Sequence, residues 1–199
     1  MSFSDLLRQW FKGVLDFFAN LFVRAGISPN ALTLIGLIGN VVAGVLIGFG
    51  RIQLGGLVAL VTGPLDAVDG CMARVLGRSS PFGAFLDSIT DRYSELSILA
   101  GLLVYFLNAG NDPACILVFA ATIGSVLVSY VRARGESQGF NVKVGILTHV
   151  ERYLVMAPAL VLNIPLVALW IIAVLGNFTA LQRIWQVWSQ SKQIKKAKN

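Results

Sequence analysis

Asp66, Asp69, Asp87, Asp91 and Glu95 are half of the ten acidic residues in this chain and fall within thirty positions. Asp66 and Asp69 are three apart and Asp87 and Asp91 four apart, so on helices each pair shares one face. Two such faces turned toward each other would put four carboxylates around one small volume. Hard oxygen donors in that number suit Mg²⁺ or Mn²⁺, as a single ion or as a pair. Nothing softer competes: the only histidine is His149, and Cys71 and Cys115 have no metal-ligand spacing and read as small core residues. Gly70 and Ala73 remove bulk beside Asp69 and Arg74, and Gly83 does so one turn before Asp87. Arg74 brings a forked donor for phosphate. Metal, arginine and an open wall are what an enzyme needs to hold a diphosphate during transfer.

The elements that carry these residues are membrane helices. Hydrophobic residues make up 56% of the 199 and charged residues 13%, against about a quarter in globular domains. With a mean hydropathy of +0.74, the composition excludes a soluble enzyme, a disordered tail and a secreted disulfide scaffold. A carboxylate at bilayer depth costs about 2.5–3.5 kcal/mol on insertion scales, so the acids need a cationic partner. Arg74 and Arg92 are too few to make a purely structural ion-pair network with five of them.

Residues 1–26 read as an amphipathic helix in the interface plane. Phe3, Leu7, Trp10, Val14, Phe18 and Leu21 recur at steps of three and four opposite Asp5, Arg8, Lys12 and Asp16. Residues 27–189 read as a six-helix membrane domain, with spans expected near 31–50, 53–75, 82–108, 113–134, 149–163 and 165–188. Gly36, Asn40, Gly44 and Gly48 make a packing stripe on the first span. Residues 190–199 are a basic tail whose four lysines suit anionic lipid rather than nucleic acid. The fold class is thus all-α: an integral membrane protein of six transmembrane helices plus an interfacial helix. Arg51 is the sole basic residue outside if the amino terminus is cytoplasmic, so both termini, and with them the acids, face the cytoplasm of a multi-pass plasma-membrane protein. Asp66 precedes Arg74 by about 12 Å of helix, within reach of a lipid headgroup.

Read together, residues 66–91 are Asp66-x2-Asp69-Gly70-x2-Ala73-Arg74-x8-Gly83-x3-Asp87-x3-Asp91. This resembles, at every defined position, the signature of the CDP-alcohol phosphotransferase family. The resemblance implies a six-span homodimeric enzyme that displaces CMP from a CDP-linked donor with an alcohol, using two ions of Mg²⁺ or Mn²⁺. It implies Asp66, Asp69 and Asp87 as metal ligands, and Asp91 as both ligand and general base on the acceptor hydroxyl. Gly70, Arg74 and Ser80 would contact the CDP moiety. The stretch Asn30-Ala31-Leu32-Thr33 resembles the family's segment bordering the nucleotide, with Asn30 where many relatives carry Asp. No Ser, Cys or His is placed as a covalent nucleophile, which favours direct displacement.

The acceptor is read from a second basic cluster. Arg132 and Arg134 end the fourth span, Arg152 begins the fifth and Arg183 ends the sixth, all on the expected cytoplasmic side. Positive-inside topology alone accounts for some of them. Yet Ser129–Glu136, Glu151-Arg152 and Gln182-Arg183 resemble segments of the family's bacterial phosphatidylinositol-phosphate synthases, with Arg132 for the usual Lys and His149-Val150 for Arg-Pro. In that branch the matching basic residues hold the phosphate of inositol 1-phosphate. The expected partners are therefore CDP-diacylglycerol, a phosphorylated alcohol and membrane lipid. Phosphatidylglycerophosphate synthase, with glycerol 3-phosphate as acceptor, is the alternative within the family. A cation or proton transporter and a non-catalytic scaffold are the alternatives outside it.

Overall fold

The computed structural model describes residues 10–77 and 80–198, without the side chains of residues 194–198. The first nine positions of the expected interfacial helix, Arg78 and the lysine side chains beyond Gln193 lie outside the described residues. Within them the secondary structure is entirely helical: α1 (Lys12–Arg24), α2 (Pro29–Gly48), α3 (Ile52–Thr62), α4 (Pro64–Val75), α5 (Pro81–Asn108), α6 (Asp112–Ser137), α7 (His149–Val161) and α8 (Pro165–Lys198).

Four stretches are long and apolar enough to cross a membrane: Pro29–Gly48, Ile52–Val75, Asp112–Ser137 and Pro165–Gln193. The chain is a multi-pass membrane protein. The other two expected spans differ for physical reasons. The first half of α5 carries Asp87, Asp91, Arg92 and Glu95, which no wholly lipid-exposed span would hold. At 13 residues, α7 rises only about 20 Å, short of a bilayer core. The final helix runs on through the basic tail to Lys198.

The second span is interrupted at Pro64. Pro64 has no N–H and clashes with the preceding turn, so α3 and α4 are two pieces that meet at Gly63, itself in helical torsions. Thr62 Oγ1 folds back on the Val58 carbonyl at 2.9 Å. The interruption gives α4 a helix start of its own, with Asp66 in the first turn, where a negative charge is favoured.

The chain packs as two compact units. One takes in the described residues up to Tyr105 together with Leu160–Asn163. Its inner cluster is Ala19, Leu32, Val68, Cys71 and Met72, with Leu15, Phe22, Val23, Ile27 and Leu65 packed around it. The amphipathic α1 thus docks one face on α4 and the start of α2. Trp10, Phe11, Val14, Phe17 and Leu21 stay exposed. Further along α2, Gly44 meets α5 backbone to backbone. A Cβ at Gly44 would lie 2.2 Å from the Ser97 carbonyl oxygen, and one at Gly101 would lie 2.2 Å from that of Gly44.

The second unit comprises Phe106–Ala159 and the described residues from Ile164 onward, and is built on the pairing of α6 with α8. Gly124 lets α8 approach so closely that a Cβ there would sit 2.9 Å from Asn177 N. Asn177 Nδ2 donates across the seam to the Ala120 carbonyl at 3.1 Å and within its own helix to Ala173 at 2.7 Å. Between apolar helices such bonds supply the specificity that a hydrophobic effect cannot.

Candidate active site

Asp66 and Asp69 arrive on α4 one turn apart, and Asp87 comes from the first half of α5. One carboxylate oxygen from each of the three lies within 4.8 Å of the others. Asp69 is the most enclosed, at 5% exposure, and has Asp66 and Asp87 as like-charged neighbours. Its Oδ2 takes a hydrogen bond from the Thr33 hydroxyl, which also lies 3.1 Å from the Pro29 carbonyl. Thr33 belongs to the first turns of α2, so three helices define this carboxylate.

Three carboxylates this close repel one another unless a cation lies among them. Oxygen-only donors fit a hard divalent ion, and the wall beside them is open: a Cβ on Gly70 would meet nothing within 4 Å. Asp66, Asp69 and Asp87 therefore suit Mg²⁺ or Mn²⁺. When bound, such an ion supplies positive charge for the oxygens of a transferring phosphoryl group.

Asp91 lies outside this triad, one turn further along α5. Its Oδ2 accepts from Arg92 Nη1 at 3.0 Å, and the same nitrogen lies 2.7 Å from the Ser88 carbonyl. The side chain is 15% exposed.

The expected donor contacts have structural duties that the sequence did not announce. Ser28 caps α2 through Ala31 N at 3.2 Å, while Leu32 points into the core. Of Asn30-Ala31-Leu32-Thr33, Asn30 therefore has the side chain best placed to meet a ligand: its Oδ1 lies near Gly83, where a Cβ would be 3.4 Å away. Ser80 Oγ accepts from Gly83 N at 2.9 Å at the start of α5. Arg74 is exposed on α4 and folded along it, with Nε on the Gly70 carbonyl at 3.1 Å and Nη2 on Cys71 Sγ at 3.0 Å. Among the described residues its partners are neutral, which leaves its charge available beside the open wall at Gly70.

The four acceptor arginines divide by burial. Arg132 and Arg134 are exposed, and Arg132 pairs with Glu136 one turn on at 3.0 Å. Arg152 and Arg183 are buried, at 1% and 2% exposure. Arg183 lies within electrostatic reach of Arg132 and Arg152, and of Glu136 and Glu151. Buried guanidiniums must be hydrogen-bonded, and here backbone carbonyls do this: Val144 and Val128 for Arg183, Leu147 for Arg152. Sequence reading missed the role of Thr33 toward Asp69, and missed Thr179, fully buried one turn before Arg183. A contact between residues 36 apart leaves no periodic trace, and a threonine in an apolar helix reads as filler.

Residues 26–185 match the family model described as CDP-alcohol phosphatidyltransferase. The chain belongs to that family. Among its relatives, the phosphatidylinositol phosphate synthase of Streptomyces avermitilis is 37% identical over 204 residues, covering 94% of this chain and 82% of its own. The archaetidylinositol phosphate synthase of Pyrococcus horikoshii is 33% identical over 181 residues, covering 90% and 94%. The phosphatidylinositol phosphate synthase of Mycobacterium tuberculosis, solved with CDP-DAG bound, matches with a TM-score of 0.80 at 27% identity over 88% of this chain and 94% of its own. Solved in complex with manganese and citrate, it gives 0.81 over 87% and 88%, again at 27% identity. Family membership makes this chain a membrane-embedded phosphatidyltransferase, and the triad of aspartates lies within the matched region.

Proposed function

We propose that this protein is a phosphatidylinositol-phosphate synthase. It transfers the diacylglycerol-phosphate group of CDP-diacylglycerol to inositol 1-phosphate, giving phosphatidylinositol phosphate and CMP. The observation that carries the transfer is the convergence of Asp66, Asp69 and Asp87 within 4.8 Å at three positions of the family signature.

The chain's own residues divide the chemistry. Asp66, Asp69 and Asp87 hold the divalent ions, with Thr33 fixing the rotamer of Asp69. Gly70, Arg74, Ser80 and the Asn30–Thr33 segment take the CDP moiety, and Arg74 turns its fork to the diphosphate. The Asp91 carboxylate accepts the proton of the acceptor hydroxyl, because an alcohol is a poor nucleophile until it is deprotonated. The hydroxyl oxygen then attacks the phosphorus bearing the lipid, the bond from that phosphorus to the CMP oxygen breaks, and CMP leaves with the electron pair.

Two things support inositol phosphate as acceptor. Arg152 and Arg183 are buried and set by backbone carbonyls, the pre-organisation expected of a site for a second phosphate. The Streptomyces and Pyrococcus relatives are named for different lipids, phosphatidyl and archaetidyl, and for the same inositol phosphate headgroup.

The setting we propose is the plasma membrane, with six spans that include α5 and α7, α1 lying in the interface, and both termini and the active site cytoplasmic. The support is the basic-residue count and the exposed apolar face of α1. A homodimer is inferred from family resemblance. The test of the transfer is to give the purified enzyme ring-tritiated inositol 1-phosphate with CDP-diacylglycerol and Mg²⁺. Label should pass into the organic phase in step with CMP release. Label left in the aqueous phase, while unlabelled glycerol 3-phosphate drives CMP release, would transfer the reading to phosphatidylglycerophosphate synthesis.

A further inference from the structure

The loop between α6 and α7, residues 138–148, is tied to α8 in a way that positive-inside charge does not require. Arg183 engages Val144 O through Nε at 2.9 Å and Val128 O through Nη1 at 2.5 Å. Its Nη2 donates to no described residue, so a deeply buried cation keeps one side of its fork open. Four residues earlier on the same face of α8, the Thr179 hydroxyl oxygen accepts from Leu147 N at 3.2 Å. The Leu147 carbonyl accepts from Arg152 Nη1 at 3.3 Å. One backbone residue of the loop is therefore held by Thr179 on one side and holds Arg152 on the other.

Between them stands Gly145, with φ of +148°, a torsion that side-chain-bearing residues rarely adopt. A Cβ there would lie 2.7 Å from Thr179 Cγ2, 3.2 Å from Arg183 Nη2 and 3.4 Å from Arg183 Nε. The glycine keeps clear the approach to the edge of the guanidinium that has no partner among the described residues.

We infer that Thr179 and Gly145 are positioning residues for the anionic acceptor. Thr179 fixes the loop that orients Arg152 and Arg183, and Gly145 leaves room for a phosphomonoester oxygen at Arg183 Nη2. The inference rests on the proposed acceptor reading, and deepens it by naming two uncharged residues that set acceptor affinity. Neither is among the residues assigned to the CDP moiety, so the effect should fall on one substrate.

The test is steady-state kinetics on the full-length enzyme, varying inositol 1-phosphate and CDP-diacylglycerol in turn, with Arg183→Gln measured in parallel. Thr179→Val keeps the shape and deletes the hydroxyl; it should raise the acceptor KM by about tenfold and leave the donor KM within about twofold. Thr179→Ser returns the oxygen and should bring the acceptor KM back to within about twofold of wild type. Gly145→Ala should show the same split between the two KM values, and decides the matter alone if Thr179→Val fails to accumulate in membranes.

Equal changes in both KM values, or a serine variant as impaired as the valine one, would overturn the inference. An Arg183→Gln enzyme with an unchanged acceptor KM would refute the acceptor pocket itself. If Arg183→Gln raises the acceptor KM while Thr179→Val and Gly145→Ala do not, only the positioning role falls.

Discussion

The hydroxyl of Thr33 is hydrogen-bonded to Oδ2 of Asp69, across 36 positions of sequence and from a different helix. The bond ties the start of α2 to the most enclosed carboxylate of the triad. A ligand carboxylate left free to rotate loses affinity for its ion, and removing a partner behind it costs about 10–100-fold. Thr33→Val should therefore raise the Mg²⁺ concentration for half-maximal CMP release by about tenfold, with Thr33→Ser close to wild type. A magnesium titration at saturating substrates checks this, and identical curves for the valine variant and wild type would separate Thr33 from the metal site.

Asp87 is the one member of the triad contributed by α5. Asp87→Asn keeps the volume and removes the charge that closes the cluster, so turnover should fall by at least about a hundredfold. Chelation of wild-type enzyme should abolish CMP release, and added Mg²⁺ or Mn²⁺ should restore it. A variant restored fully by excess metal would make Asp87 an affinity residue with no part in turnover.

Asp91 stands apart from the triad and is paired with Arg92. Asp91→Asn should retain CDP-diacylglycerol binding, measured by calorimetry, and lose turnover by about 100-fold or more, as removal of a general base does. Normal turnover in this variant would assign the proton to another acceptor.

How much of this was legible beforehand depends on the range of the contact. The triad could be read because spacings of three and four fix a helix face, and because the acids had no business in a bilayer otherwise. The interruption at Pro64 went unread in a span expected over 53–75, although it follows a local rule of the backbone. The shortness of α7 was already in the span expected near 149–163, whereas the continuation of α8 to Lys198 was not legible, since polar composition alone reads as a tail. The burial of Arg152 and Arg183 was hidden for a different reason. Carbonyls of Leu147, Val144 and Val128 are among their partners, and a backbone acceptor leaves no mark in sequence. Leu32 and Ala31 matched a nucleotide-bordering segment, yet core packing and the Ser28 cap already occupy the groups that define them.

Arg152→Gln should raise the apparent KM for inositol 1-phosphate by about tenfold or more, with that for CDP-diacylglycerol little changed. Kinetics with each substrate varied in turn measures it. A proportionate rise in both would detach Arg152 from the acceptor.

The contact of Gly44 with α5 gives a prediction about stability alone. In Gly101→Ala the new Cβ would fall 2.2 Å from the Gly44 carbonyl oxygen, and backbone cannot step aside as a side chain can. The two helices must part, at a cost of about 1–3 kcal/mol. The variant should unfold at a lower temperature in detergent, and an unchanged melting curve would mean that α2 and α5 do not pack this closely.

The central claim is a transfer from a CDP-lipid to a phosphorylated inositol, and CMP release tests it most directly. Purified enzyme should receive CDP-diacylglycerol and Mg²⁺, with inositol 1-phosphate and glycerol 3-phosphate supplied in separate reactions. The account predicts rapid release with inositol 1-phosphate and little with glycerol 3-phosphate. Release with glycerol 3-phosphate alone would contradict the acceptor assignment, and no release with either, from protein that fails to bind CDP-diacylglycerol, would contradict the enzyme.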